Sequence, residues 1–508
     1  MGTASSGEWI AILLYFALVI GVGVYFFFRD RHQEGEKEYF LGGRSMGGWV
    51  AALSAGASDM SAWVLMGLPG SIYLYGIGKV WISVGLLIGT VCAWIFVAPR
   101  LRRYSIRAND SITIPQFLTN RFLSKNKGLQ IISAIVFVVV YCVYSASSIS
   151  ACGTLFNTVT GMSAKTAMII ATAIILVYVF LGGFNAVCWT DFFQGMLMLA
   201  ALMLTPILAL FVMKGADFVA PVMAVPENYY NVLSGGGFNW KSISDILSGL
   251  GWGLGYFGMP HILLRFMAIR EEKELNQSRR IATIWVVISM FIAVCIGVIG
   301  YSVSAAGKVP FLATSAESET IIIKLADLMS QHGVLLAVMA GIILSGILAA
   351  TMSTADSQLL AAASSVSQDL MQHSFGIKMN QRTTMLAARA TVICIAIIGM
   401  VLAWDPNSSV FRVVSFAWAG FGAAFGPVML FSLFWKRANK QGALAGMITG
   451  GAVVFIWKYL IAPMGGAWAI YELLPAFLAA CIAIVIVSLA TPAPEKAVTD
   501  TFDEIRGK

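Results

Sequence analysis

Charge is scarce in this chain. Lysine, arginine, aspartate and glutamate make up 11% of its 508 residues, against 58% hydrophobic residues. That balance excludes a water-soluble globular protein, whose charged share runs near a quarter. Histidine is scarcer still, with four in all, and no pair of them forms a metal site. His32, His332 and His373 fall in loops or at the ends of apolar runs. The seven cysteines (Cys92, Cys142, Cys152, Cys188, Cys295, Cys394 and Cys481) are odd in number and lack ligand spacing. Each lies within or beside an apolar run, which reads as small apolar packing. There is no phosphate-binding loop, no stretch fit for a soluble domain, and no nucleophile, base and orienting group at usable spacing. These absences argue against an enzyme and against a membrane sensor with a long cytoplasmic signalling region. Nothing in the sequence calls for an obligate protein partner.

Long apolar runs are abundant. A membrane-crossing helix needs about 20 such residues. Thirteen runs qualify, at 9–28, 48–75, 80–99, 129–159, 164–181, 188–213, 243–267, 281–305, 334–365, 388–403, 409–435, 442–461 and 471–489. The first is too long for a signal-peptide core and lacks a basic flank, so it counts as a span. The chain therefore reads as an all-α integral membrane protein with about 13 transmembrane helices.

The loops set its orientation. Arg29, Arg31, Lys37 and Arg44 follow the first run, Arg100 to Lys127 the third, Arg270 to Arg280 the seventh, Lys378 and Arg382 the ninth, and Lys436 to Lys440 the eleventh. The opposite loops carry few, such as Lys79, Lys165, Lys214 and Lys308. Positive loops stay cytoplasmic, which puts the N-terminus outside and the C-terminus, at Lys508, inside. The same bias accounts for the net charge of +8, so no nucleic-acid partner is implied; the bilayer is the medium. Residues 1–490 read as one transmembrane domain. Residues 491–508 read as a short polar cytoplasmic tail, expected to be mobile.

Four spans carry chemistry. In AALSAGASDMSAWVLMGLPG, Asp59 stands at bilayer depth among glycine, alanine and serine. An intramembrane carboxylate is costly, and small residues weaken the helix around it. Non-helical backbone at that depth is tolerated only where it lines a cavity or is buried in protein. Asp59 is either a structural carboxylate bonded to nearby hydroxyls or backbone, or part of a cation or zwitterion site in a broken helix. In ILAATMSTADSQLL, Ser353 and Thr354 are adjacent hydroxyls in an apolar helix. They either bond back to their own carbonyls or help to make a neutral oxygen cage for a hard monovalent cation. Asp356 ranks below them, as a helix-stabilising or exit-path charge. In GGFNAVCWTDFFQ, Gly182 and Gly183 make a tight turn and Asp191 follows in the first turns of the next helix. It either complements the helix N-terminus or is a transient stop for a departing cation. In GLGWGLGYFGMPHILLRF, five glycines allow close helix approach and Pro260 removes a backbone donor and kinks the span. Trp252 and Tyr256, four apart, share a face that is either packing or an aromatic wall for a small solute, which Tyr144 would complete.

Taken together, LGGRSMGGWVAALSAGASDMSAWVLMGLPG, LGGFNAVCWTDFFQ, GWGLGYFGMPHILLRFMA, ILAATMSTADSQLL and FAWAGFGAAFGPVMLFSLFW resemble the solute:sodium symporter family, most closely its bacterial proline-carrying branch. These five motifs run in order from Leu41 to Trp435. The resemblance implies a LeuT-like core of two inverted five-helix repeats, at about 46–213 and 243–435, plus peripheral helices. It implies Na+ as the coupling ion, held by the carbonyls of Ala57, Met60 and Ala350 and the hydroxyls of Ser353 and Thr354, with Asp59 as the required carboxylate. It places Asp191 on the inner sodium path and ties Arg44 to coupling, where the plainer reading of Arg44 is a positive-inside anchor. A proline pocket would be lined by Ser61, Ala62, Trp63, Tyr144, Trp252, Tyr256 and Pro260.

Two positions depart from the family pattern: Ala62 stands where glycine is usual and Met259 where glutamine is usual. Both bear on substrate selectivity. The implied activity is sodium-coupled uptake of L-proline across a bacterial cytoplasmic membrane. The alternative is sodium- or proton-coupled uptake of another small zwitterion, betaine-like or another amino acid.

Overall fold

The computed structural model describes residues 5–30, 36–124, 127–181, 183–213, 226–233, 236–405 and 409–506. Arg31, His32, Lys125, Gly182, Lys214 and Lys508, used above in the loop, turn and histidine readings, lie outside them. Among the described residues the regular structure is helical, and the one β-type pairing is an isolated bridge between Met46 and Ile269.

The order begins with α1 (Ser6–Asp30), the short α2 (Glu36–Leu41), and α3 (Gly48–Asp59) followed by α4 (Leu68–Tyr75). α5 (Val80–Cys92) runs through a π-helical turn into α6 (Ala98–Arg107). α7 (Ile114–Arg121) opens on a Thr113 cap whose Oγ1 accepts from the Gln116 N–H at 3.1 Å. α8 (Gly128–Thr160) closes on Gly161 at φ 72°, the left-handed cap that glycine adopts without strain. Then come α9 (Ala164–Leu181), α10 (Phe184–Met213), α11 (Trp240–Gly251), α12 (Pro260–Ala268), α13 (Glu274–Ala305), α14 (Ile321–Ser330) and α15 (Val334–Ser364), which continues as π-helix to Ser374. α16 (Gln381–Leu402), α17 (Val410–Phe434), α18 (Lys440–Ile456), α19 (Leu473–Ala490) and α20 (Lys496–Arg506) complete it.

Ten helices among the described residues are long and apolar enough to cross a membrane. The expected thirteen runs exceed that number for a structural reason. Two of them are broken: α3 and α4 have 12 and 8 residues, α11 and α12 have 12 and 9. The third, at 164–181, is α9, an unbroken apolar helix of 18 residues. Burial sorts the helices by layer. In α17, 83% of the apolar window is buried, against 22% in the span Lys440–Met464, so α17 is central and α18 faces outward.

Lipid tails are as apolar as leucine, so helices associate here through close packing of small residues. At Gly346 of α15, an added Cβ would stand 2.3 Å from the Ala201 Cβ of α10, so only glycine permits that approach.

The tail corrects its expectation. α20 is a helix packed on the rest of the protein, with Val498, Phe502 and Ile505 buried. Their spacing of four and three places one apolar stripe on the helix. Glu504 pairs with Arg107 at 2.9 Å and Asp503 pairs with Lys436. Phe502 covers the buried Arg121 guanidinium, 5.3 Å from the ring centroid, and Arg121 Nε caps α17 by donating to the Ser432 carbonyl at 2.9 Å.

Candidate functional site

α3 stops at Asp59. Met60, at φ −78° and ψ 22°, leaves helical geometry, and the chain then turns through a π-helical stretch, Trp63–Gly67, into α4. The end of a helix leaves carbonyls without intrahelical partners and carries partial negative charge. Placing Asp59 there adds a carboxylate to an already negative terminus, an arrangement that favours a cation. Asp59 is 4% exposed and accepts a hydrogen bond from the Tyr256 hydroxyl. The indole of Trp285 donates to the Met60 sulfur at 3.1 Å, fixing the side chain at the break.

Ser353 Oγ lies 3.0 Å from the Ala57 carbonyl of α3 and 3.2 Å from the Ala350 carbonyl of its own helix. Thr354 Oγ1 lies 3.0 Å from the same Ala350 carbonyl. Back-bonding within α15 is therefore present, but Ser353 also reaches across to α3. Four neutral oxygens converge where two helices meet, and all four residues are buried. A hard monovalent cation fits that donor set, while a soft metal would find no thiolate or imidazole in it.

The second broken span supplies the aromatic side. α11 passes into a 3-10 turn, Trp252–Phe257, and α12 starts at Pro260 after the extended Met259. Pro260 occupies the first helical turn, where a missing N–H costs nothing, so it opens the second half-helix rather than kinking a continuous one. Trp252 stacks on Tyr471 at 5.2 Å and Phe411 at 5.3 Å, and approaches Trp63 at 5.5 Å. Tyr144 is fully buried, with Ser61 beside its hydroxyl and the His261 ring 6.3 Å away. The backbone N–H of Trp63 bonds the Ser61 hydroxyl at 3.3 Å. Ala62 and Met259 are buried as well.

Asp191 bonds residues about one helical turn from the oxygen cluster and is engaged across helices rather than with the N-terminus of its own. Its Oδ2 accepts from Ser54 at 2.7 Å and from Arg265 at 3.0 Å, with Ser357 at 3.4 Å. Arg265 also donates to Ser54 and Ser357 and to the His261 carbonyl. α3, α10, α12 and α15 thus meet in one buried polar knot. Ser357 lies one helical turn past Ser353, so the knot adjoins the cluster along α15.

Arg44 is not an exposed anchor. Its guanidinium is buried and donates to Asp110 and Ser105 at 3.0 Å, to the Met267 carbonyl at 2.7 Å and to the Ser111 carbonyl at 2.8 Å. It joins the entrance of α3 to α12 and to the loop after α6, apart from the other candidate residues. Asp110 also takes Lys37 at 2.5 Å. Burial pushes the Asp110 carboxyl up, but its bonds to Lys37 and Arg44 outweigh that and hold it below the usual carboxylate range.

Sequence reasoning missed Arg265, His261, Trp418 and Tyr471. The first three stand inside the motifs named above, and the first two are ionisable. An ionisable residue within an apolar span is a candidate by the same rule that singled out Asp59. Trp418 and Tyr471 gave no such signal, because only the fold brings them to Trp252.

The chain matches the family described as Sodium:solute symporter family over residues 39–450. It is 44% identical over 468 residues to the High-affinity proline transporter PutP of Bacillus subtilis, covering 92% of this chain and 95% of that one. It is 40% identical over 493 residues to a Sodium/proline symporter of Haemophilus influenzae, covering 97% and 96%. Among solved structures it resembles a Na+-coupled sialic acid symporter in a substrate-bound outward-open state, with TM-score 0.78, 18% identity, and coverage of 97% and 99%. At that identity the likeness speaks for the fold alone.

Proposed function

The chain belongs to the sodium:solute symporter family, and from that premise we propose how its residues carry out sodium-coupled uptake of proline. The protein is a multi-pass membrane transporter and not an enzyme, and Na+ is its coupling ion. Its substrate is proline, as the names of its relatives state for them, and we take the L-enantiomer.

Sodium sits among the carbonyls of Ala57, Met60 and Ala350 and the hydroxyls of Ser353 and Thr354, with Asp59 adding its field. Proline lies against Ser61, Ala62, Trp63, Tyr144, Trp252, Tyr256 and Pro260. Asp191 lies on the inner sodium path, and Arg44 serves coupling by holding the entrance of α3. Residues 1–490 form one transporter domain with inverted repeats at about 46–213 and 243–435. The broken spans and α9 also cross, which makes thirteen crossings. The N-terminus is outside, and the C-terminus lies in the cytoplasm of a bacterial cell.

The observation that carries this reading is the Ser353 hydroxyl, which joins α15 to the Ala57 carbonyl just before the break in α3. An ion bound there draws the two helices together and orders the broken segment that proline touches. No covalent chemistry is needed. Proline is a zwitterion and adds no net charge. Each sodium crossing 100 mV contributes about 2.3 kcal/mol.

The test is radiolabelled proline uptake into proteoliposomes under an inward sodium gradient, with a proton gradient as comparison. Uptake is expected with sodium alone and should be lost when Ser353→Ala and Thr354→Ala are combined. Undiminished sodium-stimulated uptake by the double variant would remove the assigned cage; uptake driven by protons alone would remove the assigned ion.

A further inference from the structure

Trp418 of α17 lies outside the residues assigned above, yet it holds the broken segment that carries two of them. Its side chain is 1% exposed. Its Nε1 donates to the Trp252 carbonyl at 2.8 Å. Its ring lies edge-on to Tyr256 at 5.3 Å and stacked with Trp252 at 6.4 Å. The fit is close: a Cβ added at Gly255 would fall 1.9 Å from Trp418 Nε1, so the indole rests directly on the backbone of the 3-10 turn. At Gly422, one turn further along α17, an added Cβ would come within 2.9 Å of the Gly255 Cα.

A 3-10 turn has poorer hydrogen-bond geometry than an α-helix and is used in short pieces. A carbonyl has two lone pairs, so the Trp252 carbonyl accepts the indole without giving up a backbone partner. The indole N–H therefore sets where this turn sits. Through the turn it sets two side chains at once: Trp252, which meets Trp63 at 5.5 Å, and Tyr256, which bonds Asp59.

We propose that Trp418 is a positioning residue for proline recognition, with its indole N–H fixing the Trp252–Phe257 turn so that Trp252 and Tyr256 face the substrate. The proposal rests on the transport reading above and adds a residue to it. Trp418 need not touch proline. The oxygen cluster at Ala57, Ala350, Ser353 and Thr354 stands on α3 and α15, and the turn meets the sodium side through the Tyr256–Asp59 bond rather than through those four oxygens, so Trp418 acts on substrate affinity more than on sodium affinity.

Two variants of similar size separate the donor from the ring. Trp418→Phe removes the N–H and Trp418→His keeps one. Purified wild type and both variants are titrated with proline in saturating sodium, and with sodium in the absence of proline, alongside ligand-free thermal stability. Wild-type binding of proline that depends on sodium is the control for the transport reading, and its absence would reject that reading independently of Trp418. Given that control, Trp418→Phe is expected to weaken proline binding at least tenfold while sodium affinity stays within twofold, and Trp418→His is expected to recover part of the loss. Unchanged proline affinity in Trp418→Phe overturns the proposal. So does an equal loss in both variants, or a parallel loss of sodium affinity and thermal stability, since each would mark bulk packing rather than the donor.

Discussion

Arg265 and Asp191 are 1% and 0% exposed and lie 3.0 Å apart. Desolvating two charges is expensive, and breaking such a pair by removing one partner costs more than replacing both. Ser54, Ser357 and the His261 carbonyl supply further hydrogen bonds, those to the carboxylate all falling on Oδ2, while Asp191 Oδ1 is buried without a partner among the described residues. Arg265→Gln, which leaves the carboxylate unpaired, is expected to cost about 3 kcal/mol of stability. Adding Asp191→Asn should recover part of that loss rather than add to it, because the two sites share one interaction. Thermal unfolding of the single and double variants in detergent checks this; additive losses would mean that the two side chains do not depend on each other. The pair was half legible in the sequence. Asp191 stood out, but its partner is 74 residues away, and nothing short of the fold joins them.

At the scale of elements, the breaks were legible and the packing around them was not. Glycines, a proline and a carboxylate in otherwise apolar runs locate the interruptions at Asp59–Trp63 and Trp252–Pro260, because each weakens or ends a helix by a local mechanism. The direction of Asp191 and the burial of Arg44 depend on neighbours distant in sequence. α20 shows the reverse error: Val498, Phe502 and Ile505 form an apolar stripe that a short polar tail conceals. Removing Phe502 tests that element. Phe502→Ala is expected to cost about 3 kcal/mol of local stability and to detach α20 from Arg121. Limited proteolysis should then cleave within Lys496–Arg506 while the rest of the chain stays intact. Equal resistance in variant and wild type would show that the ion pairs to Arg107 and Lys436 hold α20 without the ring.

For the whole molecule, Tyr256 joins the two broken spans at Asp59, and Ser353 ties α15 to the first of them. Ser353 reaches the backbone at Ala57, two residues before Asp59, and Tyr256 donates to the Asp59 carboxylate. On the proposed reading sodium and proline act on the same short segment, and an ion that orders it lowers the cost of binding the solute. Such coupling is a free energy shared by two sites and must be reciprocal. The most direct test titrates purified protein with proline at low and saturating sodium, and with sodium at zero and saturating proline. Sodium is expected to raise proline affinity by the same factor, five-fold or more, as proline raises sodium affinity. Affinities that do not shift each other would contradict that coupling.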